Sequence, residues 1–230
     1  MRRRQTVCLI VRLIAAALVA GAALPAAADV LEDFRTAILR DNDRTIVNLL
    51  LRGMDANAVD AQGQPALLKA LRLESWRVAD ALLLAPGLNV EATNPQGETA
   101  LMLACNKGKL DFVQRLLARG AAVNRPGWTP LHYAASADYP DSVAIARLLL
   151  QEHYAYIDAA SPNGSTPLML AAQYGSQAMV ELLLEEGADA QLRNQLGLNA
   201  IDFARRSQRG YLADILQARL RSNRREPPAW

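Results

Sequence analysis

Reactive side chains are scarce in this chain. Its 230 residues include two cysteines and two histidines, and aromatic residues make up only 5%. Two cysteines cannot build a disulfide framework, and neither a Cys/His cluster with metal-ligand spacing nor a C-x-x-C pair is present. Phosphate-cradling loops, dinucleotide fingerprints and nucleophile elbows are missing as well, so no catalytic set, cofactor or metal is expected. Thirteen glycines and eleven prolines follow no short period, which excludes a collagen-like chain. Charge of one sign is also lacking, with 25 basic against 23 acidic residues. Four arginines (Arg2, Arg3, Arg4 and Arg12) fall within the first 28 residues, which hold no acid, so residues 29–230 carry a net charge of −2. A polyanion-binding surface needs a concentrated basic excess, so nucleic acid is not an expected partner. What the chain does have is 51% apolar residues, the composition of a folded protein.

Residues 1–28 read as an export signal: a basic start, an apolar run from Leu13 to Leu24, Pro25, and then Ala26-Ala27-Ala28. Cleavage is expected between Ala28 and Asp29. An uncleaved membrane anchor is the alternative, but twelve apolar residues rise only about 18 Å as a helix against about 30 Å of hydrocarbon. The reading places the protein in the periplasm, without membrane insertion, and Cys105 is then its one cysteine.

Self-similarity dominates the remainder. The segments QPALLKAL, ETALMLAC, WTPLHYAA, STPLMLAA and NAIDFARR align without gaps on Pro65, Thr99, Thr129, Thr166 and Asn199, at spacings of 34, 30, 37 and 33 residues. Each is followed by a second leucine-rich stretch, and Phe34–Leu39 with Ile46–Leu51 repeats the pattern upstream, which predicts six helix pairs. In the copy at 165–190, Thr166 is placed as a helix N-cap and Pro167 at the first helical position. Leu168, Leu170, Ala171 and Ala172 form the apolar face of the first helix, and Met179, Val180, Leu183 and Leu184 that of the second. Gly175 is read as lending conformational freedom to the inter-helix turn, and Gly187 as a left-handed C-cap.

The pattern resembles the ankyrin repeat, whose T-P-L-H-x-A signature stands in full at Thr129–Ala134. The resemblance covers about residues 31–220 and implies an all-α solenoid of about six stacked helix pairs with short hairpin or loop fingers. The units run at about 31–62, 63–96, 97–126, 127–163, 164–196 and 197–220, and a disordered tail is expected at 221–230. Departures at Pro65, Ala66, Ala100, Asn199, Ala200 and Asp202 suit divergent end units. The resemblance also makes His132 a structural side chain bonding backbone between units. Cys105, at the second position of the small-residue pair in its helix, reads as a buried filler.

One unit departs from the rest. The connection from Leu116 to Thr129 is three residues shorter than that from Leu183 to Asn199, while the inter-helix turn at 136–140 and the segment 152–159 are each about two residues longer than their counterparts. The same unit holds Trp128, Tyr133, Tyr139, Tyr154 and Tyr156 and both histidines. Tyr and Trp at irregular positions suit a protein interface, and sealing the insertions is the other reading. The resemblance places partner contacts at the finger tips and the exposed end of the first helix of each pair: Gln96, Glu98, Asn106 and Lys107, then Trp128, Ser136 and Tyr139, then Asn163, Ser165, Gln173 and Tyr174. The expectation is a monomeric, non-enzymatic periplasmic module that binds a protein through its concave face. A secreted, host-directed binder and a redox protein using Cys105 remain the alternatives.

Overall fold

A computed structural model describes residues 27–225, so the expected leader, apart from Ala27 and Ala28, and the last five residues of the tail lie outside the described residues. Among the described residues there are twelve α-helices and, in place of any strand, one isolated bridge between Val59 and Pro65. The helices form six pairs: α1 (Ala27–Leu39) with α2 (Asp43–Leu51), α3 (Ala66–Arg72) with α4 (Trp76–Leu84), α5 (Ala100–Asn106) with α6 (Leu110–Ala118), α7 (Pro130–Ser136) with α8 (Ser142–Gln151), α9 (Pro167–Gln173) with α10 (Gln177–Glu185), and α11 (Ala200–Arg206) with α12 (Gly210–Arg225). The final helix passes residue 220 and ends at Arg225, so the first half of the expected tail is helical.

From the second pair on, the first helices are only seven residues long, too short to persist alone, and in the last four of them, α5, α7, α9 and α11, side chains fix the N-terminal end. Thr99, Thr166 and Asn199 accept hydrogen bonds from the third helical N–H, at Met102, Met169 and Asp202. The third helical side chain answers each cap. The thioethers of Met102 and Met169 accept from the Thr99 and Thr166 N–H, the carboxylate of Asp202 accepts from Asn199, and Nδ1 of His132 accepts from Thr129. Pro130 and Pro167 occupy the first helical position, where the missing N–H costs nothing.

The pairs then stack. Helices α5, α7, α9 and α11 form a file, each packed on the next, and α2, α4, α6, α8, α10 and α12 form a second file behind it. Alanines at 104, 134, 135, 171 and 172, with Cys105, are buried between neighbouring helices, where small side chains allow close backbone approach. Leu101, Leu116, Leu131, Leu149, Leu168 and Leu183 fill the space between the files. Burying a leucine contributes about 1.5–3 kcal/mol, so a core that runs unbroken from Phe34 to Leu216 holds together what no single pair could.

Two glycines show different requirements. Gly187 has φ +96° and nothing within 4 Å of a built Cβ, the left-handed C-cap expected of it. Gly175, by contrast, is not in the left-handed region. A Cβ there would lie 2.3 Å from the Ala135 carbonyl oxygen, so this glycine serves the approach of α9 to α7 and not the freedom of the turn.

The fingers are closed by short polar turns. Oδ1 of Asp60 accepts from the N–H groups of Gln62 and Gln64, Asn94 from Gln96 and Glu98, and Asn194 from Leu196 and Leu198. Farther back, a finger side chain grips the backbone of the next unit. Asn57 bonds Gly87 and Asn89, Glu91 bonds Ala122, Asn124 bonds Tyr154 and Tyr156, and Asp158 bonds Asp189. Between α6 and α7 only residues 119–129 remain, against 186–199 between α10 and α11, and the tip turn is absent there.

Candidate functional site: an aromatic pocket beside the truncated finger

The shortened finger leaves room above α7. Trp128, immediately before the helix, is half-buried instead of covered, and it stands edge-on to two rings of α7: His132 with centroids 5.3 Å apart and Tyr133 at 6.5 Å. Leu170 on α9 occupies the register position of Tyr133 on α7. Tyr174, 58% exposed at the end of α9, closes the far side, and Asn106 and Ser136 supply polar groups from the last turns of α5 and α7. Together these seven residues line a cavity of about 360 Å³, near the lower end of the range typical of ligand pockets.

Of the eleven contact residues expected from the sequence, Asn106, Trp128, Ser136 and Tyr174 meet in this pocket. Tyr133 and Leu170 were not among the eleven. Their register alone did not set them apart, since Leu103 at the same position of α5 is buried.

The other seven divide by environment. Gln96 and Asn163 are exposed at finger tips and Gln173 is half-buried at the end of α9. Glu98 is already engaged: it accepts from Arg72 at 2.5 Å, from Nδ2 of Asn94 at 2.6 Å and from the Tyr133 hydroxyl at 3.0 Å, tying three units together. Burial, then the charge of Glu98 and this hydrogen bond, push the Tyr133 hydroxyl above its usual range, so it stays a donor. Lys107 forms an ion pair with Glu74 at 2.6 Å, which lowers the Glu74 carboxyl below its ordinary value. Ser165 must be withdrawn as a contact residue. It is buried, its N–H is held by Ser161 and Asn163, and its carbonyl accepts from His132. Tyr139 stands away from the pocket, with its Cβ packed over Gly108, where a second Cβ would come within 2.4 Å.

The two candidates for chemistry are both committed to structure. His132 is fully buried. Nδ1 accepts from Thr129 N–H at 3.2 Å and lies 2.8 Å from the Thr129 hydroxyl, so Nε2 carries the proton and donates to the Ser165 carbonyl at 3.0 Å. Burial lowers its pKa despite that bond, and the ring facing the pocket is neutral. Cys105 is also fully buried, and burial raises its thiol far above the usual range, the opposite of what a redox thiolate needs. No group of three His, Cys, Asp or Glu side chains among the described residues could hold a metal ion. No helix among them is long and apolar enough to cross a membrane. In the basic end unit, Arg209 is a fastener: it donates to the carbonyls of Ala171 and Ala172 at 3.3 Å and of Gly175 at 2.5 Å, closing the end of α9.

A second aromatic feature lies at the base of the same unit. Tyr154 and Tyr156 are 78% and 69% exposed, and Tyr154 has φ +52°. Gly53, Gly120 and Gly187 hold the corresponding left-handed position after α2, α6 and α10. An exposed tyrosine therefore stands where three other units use glycine.

Six capped helix pairs joined by polar fingers, with a shaped pocket on the first-helix face and no reactive constellation among the described residues, define a repeat solenoid built for binding. The model of the family described as ankyrin repeats (3 copies) matches in overlapping stretches at residues 34–126, 77–161, 126–194 and 143–220. The chain belongs to the ankyrin repeat family, a family of protein–protein interaction modules. Among solved structures it is similar to a chain of the complex of a predatory endopeptidase with its immunity protein from Bdellovibrio bacteriovorus (TM-score 0.68, 28% identity, covering 80% of this chain and 96% of that one). It is also similar to an ankyrin repeat domain from Acinetobacter baumannii (TM-score 0.65, 26% identity, covering 81% and 96%). Among curated proteins it is 36% identical over 115 residues to neurogenic locus notch homolog protein 1 of Xenopus tropicalis, which covers 49% of this chain but only 4% of that protein. The Drosophila melanogaster Notch protein is 39% identical over 111 residues, again 4% of its length.

Proposed function

We propose that the protein is a non-enzymatic periplasmic module that binds a folded protein through the concave, first-helix face, with the Trp128–Tyr133–Tyr174 pocket at the centre of the contact. The observation that carries this reading is convergence: the unit with the truncated finger is the one whose aromatic side chains open a pocket on that face. A half-exposed Trp and Tyr around a concave site are what interface anchors are made of. The leader-like residues 1–28 support export. The similarity to a chain of an endopeptidase–immunity complex supports an enzyme as partner, held or restrained by the solenoid. Gln96, Asn163 and Gln173 would form the polar rim of the interface.

The test has two arms. Mass spectrometry of protein recovered from the periplasmic fraction should find a mature N-terminus at Asp29; an intact leader, or absence from that fraction, overturns the localisation. Mild crosslinking followed by purification should recover one folded partner with the native protein. The Trp128→Ala/Tyr174→Ser double variant should lose that partner while keeping native helical circular dichroism. Tyr139→Ala, remote from the pocket, should retain it. Equal capture by the double variant overturns the assignment of the face.

A further inference from the structure

The pocket wall is uncharged, and its polar groups are unevenly committed. Along the helices the lining falls into two zones. Tyr133 and Leu170, each the fourth residue of its helix, stand with Trp128 and His132 at one end. The polar atoms of the two α7 side chains are spent there: His132 bonds backbone through both nitrogens, and the Tyr133 hydroxyl donates to Glu98 at 3.0 Å. What remains for a guest at this end is mainly ring and leucine surface. The other end is built where the helices stop, by Asn106 as the last residue of α5, Ser136 as the last of α7 and Tyr174 just after α9. It lies about 5 Å farther along the helix axes, three to four residues at the helical rise. Here the polar atoms are open to a guest. The Ser136 hydroxyl gives its proton to the Tyr133 carbonyl at 3.1 Å and is left as an acceptor, while the Asn106 amide and the Tyr174 hydroxyl have no hydrogen-bond partner among the described residues.

The charges bordering this wall are already matched. Glu98, bonded to Tyr133, accepts from Arg72 at 2.5 Å, and Lys107, next to Asn106, is paired with Glu74 at 2.6 Å. A charged guest would shed water without gaining a counter-ion from the lining, a cost that a neutral guest escapes. An apolar body at one end and a hydrogen-bond donor at the other describe a phenol. We infer that the pocket takes a tyrosine side chain of the partner protein, its ring against Trp128, Tyr133 and Leu170 and its hydroxyl donating to Ser136 or Asn106. The cavity of about 360 Å³ is roomy enough for one such ring, and Trp128 and Tyr133, already edge-to-face with centroids 6.5 Å apart, offer the guest ring the same kind of contact. Phenylalanine would fill the same space but cover the Ser136 and Asn106 acceptors with nothing to donate to them.

The inference rests on the proposed binding face, and it is tested without the natural partner. Three probes, N-acetyl-Tyr-amide, N-acetyl-Phe-amide and N-acetyl-Lys-amide, are titrated into ¹⁵N-labelled full-length mature protein. The Trp128 indole N–H and the Ser136 and Tyr174 amides are followed. The tyrosine probe should bind about two- to ten-fold more tightly than the phenylalanine probe, the scale of one net hydrogen bond, and the lysine probe should bind most weakly. The Asn106→Leu/Ser136→Ala double variant, checked for native helical circular dichroism, should lose the Tyr-over-Phe preference and still bind the phenylalanine probe. Trp128→Ala should abolish the Ser136 and Tyr174 shifts from all three. Equal or tighter binding of the phenylalanine probe, tightest binding of the lysine probe, or no response to any probe overturns the inference. So does a tyrosine preference that survives in the double variant, or concentration-dependent shifts of the same resonances without a probe, which would assign the pocket to a second copy. Loss of the partner on Trp128→Ala/Tyr174→Ser together with no tyrosine preference would leave the binding face standing and remove only the tyrosine guest.

Discussion

The imidazole of His132 joins two repeats through both of its nitrogens: Nε2 donates to the Ser165 carbonyl at 3.0 Å, while Nδ1 accepts from Thr129 N–H at 3.2 Å. Replacing His132 with Ala strands a buried carbonyl and a buried N–H and leaves a cavity. Each unmet group costs about 1–3 kcal/mol, so urea denaturation should register a loss of about 2–4 kcal/mol. A loss below about 1 kcal/mol would mean that water replaces the ring.

The same ring sets a pH dependence. Burial depresses the His132 pKa below its ordinary value near 6.5, so the unfolded chain binds more protons in the interval between the two values. This contribution to stability is complete above about pH 6.5 and is lost as pH falls toward the folded pKa. Melting curves between pH 7.5 and 5.5 should show a downward slope that His132→Gln flattens. Asp60 and Glu74, whose carboxyls are held below their ordinary values by their lysine partners, titrate below this window. Parallel slopes in the two proteins would contradict the assignment.

Gly175 and Gly187 separate two reasons for glycine. Gly175→Ala forces a Cβ to 2.3 Å from the Ala135 carbonyl, which backbone must yield to relieve, and should cost about 2–3 kcal/mol. Gly187→Ala meets open space and bears only its φ of +96°, for about 1 kcal/mol. Equilibrium unfolding of both variants decides the order, and equal effects would refute the close-approach argument.

Cys105 should be silent in the native state. With the thiol buried and its ionisation suppressed, a disulfide exchange reagent should react only as fast as the molecule opens, and denaturant should accelerate labelling in step with loss of helicity. Labelling of native protein at the rate of a free thiol would revive a redox role.

Much of this organisation was legible in the sequence because each repeat states its own geometry. Thr166, Pro167 and Gly187 specify the two ends of a helix pair by local chemistry, and their spacing fixes the stack. Legibility ended where function depends on contacts between units. Ser165 resembles an exposed finger residue in its own repeat, yet the next-door His132 encloses it. Glu98 reads as a free carboxylate until Arg72 and Tyr133, 26 and 35 residues away, converge on it. Gly175 carries the residue type of a turn, while its actual constraint is the Ala135 carbonyl of the preceding unit. The pocket was partly visible because it arises from a change in loop length, which the spacing records. Its full lining was not, because Tyr133 and Leu170 meet only when α7 and α9 stack.

Tyr154 offers a test of whether stability has been given up for binding. An L-residue in the left-handed region carries about 1–2 kcal/mol of strain, while glycine there costs about 0.5–1 kcal/mol of extra chain entropy. Tyr154→Gly should therefore stabilise the protein by about 0.5–1 kcal/mol, since a ring 78% exposed contributes little packing. Asn124 grips the backbone at 154 and 156 through Tyr154 carbonyl and Tyr156 N–H, so the segment keeps its path in the variant. Tyr154→Ala retains the strain and removes the ring, and its stability should match the native protein. If the ring is kept for contact with the partner, both variants should capture less of it, one while more stable and the other while equally stable. Capture unchanged in both would make the tyrosine a tolerated imperfection of the turn, and a destabilised Tyr154→Gly would show that the ring packs where the structure leaves it exposed.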